Sequence, residues 1–139
     1  MKNILLILII IVIALTLNTY SEEKIYGHES VEKLVKSIKI AASKKDKDLY
    51  LQCSCWKRLS TNLQERFKNT TPLFMKDRLL DIKVNPSTKD PFEGTEFEYN
   101  VSFRGNLVFT YKKYGSITVG YGEHKERFYL ATPVRRQKK

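Results

Sequence analysis

Two cysteines, two histidines and three glutamates are the residues of this chain whose types and spacing could do chemistry. Cys53 and Cys55 form a C-x-C pair. As metal ligands they need partners at suitable spacing, and there is no second C-x-C and no H-x-H. As a disulfide they need Cβ atoms about 4 Å apart, whereas residues two apart on a helix point about 200° away from each other. Cys53 is therefore expected as a small buried apolar residue beside Trp56, and Cys55 as a free or intermolecularly paired thiol. His28 precedes a helical stripe, where it could stand near an anionic ligand, and His124 falls in a charged turn; both read as surface histidines. Glu96, Glu98 and Glu126 could work as acid and base only if they faced inward. Their alternation with large aromatics puts them on the solvent face. Arg104 after Phe103, and Lys112 and Lys113 between Tyr111 and Tyr114, interleave cations with aromatics as single-strand nucleic-acid platforms do. Ordinary cross-strand packing with the cations outward accounts for them as well. Asn69-Thr70-Thr71 has glycan-acceptor spacing, which carries meaning only in a eukaryotic secretory route. No metal site, cofactor site or catalytic set emerges.

The compartment is set by the first residues. After Lys2 an almost unbroken apolar run occupies residues 4–17, followed by Tyr20-Ser21-Glu22-Glu23. Fourteen helical residues span roughly 21 Å, short of the roughly 30 Å hydrocarbon core, so the length suits a signal peptide better than a spanning helix. Thr19 and Ser21 supply small residues for a cut after position 21. Extended to Tyr20, the same run would serve as an uncleaved anchor in a thin bilayer. Lys2 before the run and the glutamates after it place the remainder outside the cytoplasm by the positive-inside bias. No cysteine stands near the end of the run, which argues against a lipoprotein.

Residues 22–132 then suit a single domain with one modest core, followed by a basic tail over 133–139. The chain carries 25 Lys and Arg against 15 Asp and Glu, a net charge of +10. Such a balance favours anionic surfaces such as wall polymers or lipid head groups. Most of the charge is scattered lysine, as on an ordinary solvated face; Arg135, Arg136, Lys138 and Lys139 form the one sequence cluster and the candidate contact for an anionic surface.

Hydrophobic period divides the domain into a helical half and a strand half. Val31, Leu34, Val35, Ile38, Ala41 and Ala42 recur at three- and four-residue steps, predicting a helix over 30–43 with Ser30 as N-cap. Asp46 can cap a second helix carrying Leu49, Cys53 and Trp56 inward. Thr61 to Gln64 has capping-box spacing and opens a third through Leu63 and Phe67, and Thr71-Pro72 starts a further turn. From Leu80 the period becomes two. A short strand is expected over 81–84, with Asn85-Pro86 and Asp90-Pro91 bracketing an unpaired loop. Phe97, Tyr99, Val101 and Phe103 alternate with polar residues as one strand, Arg104-Gly105-Asn106 reads as a tight turn, and Leu107, Phe109 and Tyr111 follow. Gly115-Ser116 turns into Ile117, Val119 and Tyr121, and the last strand holds Phe128 and Leu130 and ends at Pro133. Helices first and an antiparallel meander after them make the class α+β, preceded by the hydrophobic leader helix.

The stretch from Glu29 to Ile38, followed by Ala41-Ala42-Ser43-Lys44-Lys45-Asp46-Lys47-Asp48-Leu49-Tyr50, resembles the opening helix, small-residue junction and second helix of the NTF2-like (cystatin-like) superfamily. Lys125-Glu126-Arg127-Phe128-Tyr129-Leu130-Ala131 is similar to that group's last strand. The resemblance covers about residues 29–132 and implies helices packed on a curved antiparallel sheet of four to five strands, forming a cone. Enzymes of the superfamily place His and Asp or Glu inside the cone, whereas both histidines here fall near turns or ends. The expectation is therefore an exported or membrane-anchored, non-enzymatic binding module for a protein partner, an anionic polymer or a small ligand. Trp56, Phe97, Tyr99, Phe103, Phe109, Tyr111 and Tyr121 are the candidate cone lining. The alternative is a small enzyme using a pocket Tyr or carboxylate as general acid/base. No cofactor is expected, a homodimer through the sheet is a candidate assembly, and export argues against nucleic acid.

Overall fold

A computed structural model describes residues 27–138. The apolar leader and its cleavage or anchoring, as well as Lys139, lie outside them. Ser30 is extended and its hydroxyl accepts the Lys33 amide, capping α1 (Val31–Lys44) where the stripe predicts it. Leu34, Ile38, Ala41 and Ala42 are buried on that stripe, and burying a side chain such as Leu34 or Ile38 is worth about 2 kcal/mol. Lys45 closes α1 in the left-handed conformation, φ 56°, its amide reaching the Ala41 and Ala42 carbonyls. One residue on, the Asp46 carboxylate accepts the Leu49 amide at 2.9 Å and starts α2 (Lys47–Leu51).

The second helix is shorter than the sequence suggests. Cys53 and Trp56 were expected on its inner face, but α2 stops at Leu51, because the next residues are drawn into the sheet: the Cys53 carbonyl accepts the Leu130 amide at 2.7 Å, and Ser54 forms a parallel bridge with Leu130. The cysteine pair thus sits in extended and turn backbone rather than on a helix. Both thiols are free and buried. After a 3-10 turn at Trp56–Arg58, α3 (Thr61–Asn69) is capped by Ser60, not Thr61. Gln64 closes no capping box; its amide donates to the carbonyls of Leu59 at 2.9 Å and Trp56 at 3.2 Å. A 3-10 turn at Leu73–Met75 follows Pro72.

Six strands follow: β1 (Leu79–Pro86), β2 (Phe97–Tyr99), β3 (Ser102–Tyr111), β4 (Gly115–His124), β5 (Arg127–Leu130) and β6 (Pro133–Arg135). The order β1-β3-β4-β5 makes a strongly curled antiparallel half-barrel, and β2 pairs with β6 in a separate two-stranded sheet. The fold is α+β, with α1 laid against the sheet so that Leu34, Ile38, Ala41, Cys53, Phe74, Leu107, Phe109, Tyr121 and Leu130 form one core.

Five strand expectations change, the first being that Gly115-Ser116 is no turn but opens β4, paired with Tyr111 and Thr110, while the turn falls at residues 112–114. β1 runs two residues beyond the expected 81–84 at each end, from Leu79 through Asn85 to Pro86, because it is an edge strand and a terminal proline there costs no ladder bond. The expected continuous strand from Phe97 to Phe103 is broken at Asn100, which is buried and ties three segments together: its amide nitrogen donates to the Cys55 carbonyl at 3.2 Å, and its oxygen accepts the Thr132 amide at 2.9 Å. Arg104-Gly105-Asn106 is no turn but lies inside β3, where Phe103 pairs with Gly122 and Gly105 with Tyr121, leaving Arg104 as the extra residue of a β-bulge. Gly105 has φ 153°, and a Cβ there would stand 2.5 Å from the Asn85 carbonyl oxygen. Finally, Pro133 does not end a strand but begins β6, whose continuation is held by the Arg136 amide on the Glu96 carbonyl at 2.9 Å.

The β4–β5 hairpin turns on Lys125 and Glu126, φ 49° and 62°, the positive pair that a two-residue turn matching sheet twist requires. The outer edge of β5 is covered by His28, which exchanges two backbone bonds with Phe128 at 3.1 and 2.7 Å, and by Ser54.

Candidate functional site

The bulge at Arg104 divides the candidate cone lining between the two faces of the sheet. A one-residue insertion reverses the alternation on either side of it. Phe109, Tyr111 and Tyr121 face α1 and are consumed by the core, 2, 7 and 3% exposed. Phe103, on the far side of the bulge, shares the face of Gly122. There it stacks on Tyr99 with ring centres 5.2 Å apart and planes 8° apart. Tyr99 lies against Gly120 and also meets Phe92 edge-on at 4.8 Å, while Phe97, partly exposed, leans on Phe92. Trp56 joins neither group: it packs edge-on to Phe67 at 5.4 Å and its indole N–H donates to the Leu51 carbonyl. The seven aromatics therefore line no common cavity.

The titratable candidates are equally dispersed. Arg58 can only donate, so its 2.9 Å contact makes His124 Nδ1 an acceptor and the ring neutral, in keeping with a pKa lowered by partial desolvation and by the Arg58 and Lys125 charges. The His28 pKa is also lowered, by burial and then by Arg127. Glu96 pairs with Arg135 at 2.8 Å, and Glu126 is spent in the turn. Burial pushes the phenols of Tyr99, Tyr111 and Tyr121 up, which keeps them protonated. Among the described residues no group of three His, Cys, Asp or Glu could hold a metal ion. Of the basic cluster, Arg135 and Arg136 are occupied on β2: the Arg136 guanidinium donates to the Phe97 carbonyl at 3.0 Å and reaches that of Phe92 at 3.4 Å. Lys138 is exposed.

What the fold does build is a groove between α1 and the free edge of β1. Two open hollows of about 540 and 460 Å³ lie side by side there, with Lys39 and Ser43 lining both. Val35, Ile40 and Val84 floor the first, and Leu79 and Leu80 line the second. Five cations, Lys36, Lys39, Lys44, Lys45 and Arg78, stand around the two against the carboxylates Glu32 and Asp81. Lys45 donates to the Phe74 carbonyl, and Lys39 reaches Asp81 at 3.4 Å across exposed surface, a pair worth under about 1 kcal/mol. Among the described residues no carboxylate pairs with Lys36, Lys44 or Arg78.

Sequence reasoning passed over this set, treating its lysines as scattered surface. Its signal was nevertheless on α1: Lys36 and Lys39 fall at i, i+3, and Ile40 stands out of phase with the buried stripe, 36% exposed between them and Ser43. Arg78, Leu79 and Val84 join only when β1 is laid beside the helix. The chemistry of this constellation is attraction of negative charge over an apolar floor. Comparison with protein-family models, with curated proteins and with solved structures found no match.

Proposed function

We propose that this chain is a non-enzymatic binding module, exported or held at a membrane by residues 4–20, that takes an anionic partner into the groove between α1 and β1. The observation that carries the reading is the set of five cations over an apolar floor beside a strand edge that no other described segment pairs with. The scattered acids and bases of the rest of the surface, and phenols kept protonated by burial, favour binding over turnover. An NTF2-like build, with α1 and α2 roofing a cone, is part of the same proposal; helices preceding a strongly curled antiparallel sheet support it.

The experiment is a salt titration of binding. The full-length chain is expected to bind polyphosphate and heparin with an affinity that falls log-linearly with salt, and Lys36→Glu with Lys39→Glu is expected to weaken binding about tenfold and to lower the slope by about two. Binding that ignores both salt and the double substitution overturns the proposal. N-terminal sequencing of the protein recovered from cells tests the leader: a new terminus at Glu22 means cleavage, and an intact one in the membrane fraction means anchoring.

A further inference from the structure

We infer that the groove is a strand-addition site, and that its natural occupant is an extended acidic polypeptide segment laid along β1. The inference rests on the reading of the groove as an anion-binding surface and narrows it to one class of partner. β1 is an eight-residue edge strand, paired on one side to β3 from Leu79 to Pro86. Among the described residues, its backbone makes no bond to any segment other than β3. Past a bulge at Leu80 the six residues 81–86 run in regular register, and they offer roughly 20 Å of strand edge, a template that an extended chain completes.

The edges of the half-barrel are not treated alike. β5 is covered by His28 and Ser54. Among the described residues none pairs with the outer edge of β1, and beside it lies the groove. A chain added to β1 would turn every second side chain toward α1. There a glutamate fits both halves of the surface: its methylenes lie over Val35, Ile40 and Val84, and its carboxylate reaches the ammonium groups of Lys36, Lys39 and Lys44. Ladder bonds give the partner its register, and the lysines select its charge. A second copy of this chain fits the rim less well, because each copy carries +10 and would bring cations against cations.

The test uses three synthetic peptides of ten residues alternating glutamate and valine: one unmodified, one N-methylated on every glutamate, and one N-methylated on every valine. In a strand both polar backbone groups of a residue point to the same edge, so only one of the two methylated sets removes donors from the edge that meets β1. Binding of the unmodified peptide to the full-length chain is expected. One methylated peptide should bind about tenfold or more weakly while the other is little changed. Hydrogen exchange should slow in residues 79–86 when the unmodified peptide is bound. Equal binding by all three peptides, or no added protection of β1, overturns strand addition even if polyphosphate binds. Failure of polyphosphate, heparin and peptide together overturns the anion-binding reading itself. Self-association of the free chain that itself slows exchange in residues 79–86 and is not displaced by the peptides would replace the acidic segment with a second copy.

Discussion

The Asp77 carboxylate accepts the main-chain N–H of Lys113 at 2.7 Å, so that a loop preceding β1 holds the turn between β3 and β4. The same oxygen accepts the Tyr114 amide at 3.0 Å and the other oxygen the Arg78 amide at 2.8 Å. Asp77 is thereby the clamp that fixes where β1, with its open edge, begins.

Asp77 also predicts an acid limb of stability. Its desolvation would raise the pKa, but the three backbone amides outweigh that and leave it below the ordinary value. With a folded pKa below the unfolded one, the stabilisation is whole above about pH 4 and is lost as pH falls through the folded value. Urea midpoints measured from about pH 6 to pH 2 should therefore fall more steeply for the parent than for Asp77→Asn, which starts lower and varies less. Parallel curves would refute the clamp.

Gly122 and Gly120 admit the outer layer to different degrees. A Cβ at Gly122 would meet the Ser102 carbonyl oxygen at 2.3 Å, a backbone atom that cannot yield, whereas at Gly120 it would meet the Tyr99 ring at 2.8 Å. Gly122→Ala is expected to cost about 1–3 kcal/mol and Gly120→Ala less, since a ring can shift. Chemical denaturation of both variants ranks them, and the reverse order would refute the packing described.

Asn100 supplies a third measurement. Asn100→Ala strips the Thr132 amide of its side-chain partner in a buried place and takes one of two donors from the Cys55 carbonyl, which keeps the Arg58 amide at 3.3 Å, and should cost about 1–3 kcal/mol. A loss within about 0.5 kcal/mol would mean that the break between β2 and β3 is held by something else.

The cysteines should be chemically silent. Burial pushes the Cys53 thiol up to about 12 and raises Cys55 as well, Arg58 and Lys125 offsetting part of the latter. At about pH 8, iodoacetamide should label Cys53 about a thousandfold more slowly than a free thiol, and both should label in urea. A chain two mass units light, the mark of a disulfide, would contradict the structure.

The parts legible in the sequence were those fixed by local chemistry. The stripe from Leu34 to Ala42 and the caps Ser30 and Asp46 define α1 and the start of α2 as expected, because a cap acts within three residues. α2 ends early because Leu130, far along the chain, claims the Cys53 carbonyl. Phe103 changes face because one extra residue at Arg104 flips the alternation, and a glycine beside polar residues reads as a turn as readily as a bulge. The groove was the least legible, since Lys39 and Arg78 come to line one hollow only through the packing of α1 on β1.

The bridge between His28 and Phe128 bears on the order in which the domain can assemble as the chain is made. The stripe of α1 is shielded by Cys53 and Phe74 and, from the strands, by Leu107, Phe109, Tyr121 and Leu130, and the segments flanking β5 wait for β5 itself. At about 5–20 residues per second, several seconds separate the synthesis of His28 from that of Phe128. Throughout that interval the stripe of α1 has only Cys53, Phe74 and their apolar neighbours to pack against, and the larger share of its cover arrives with the strands.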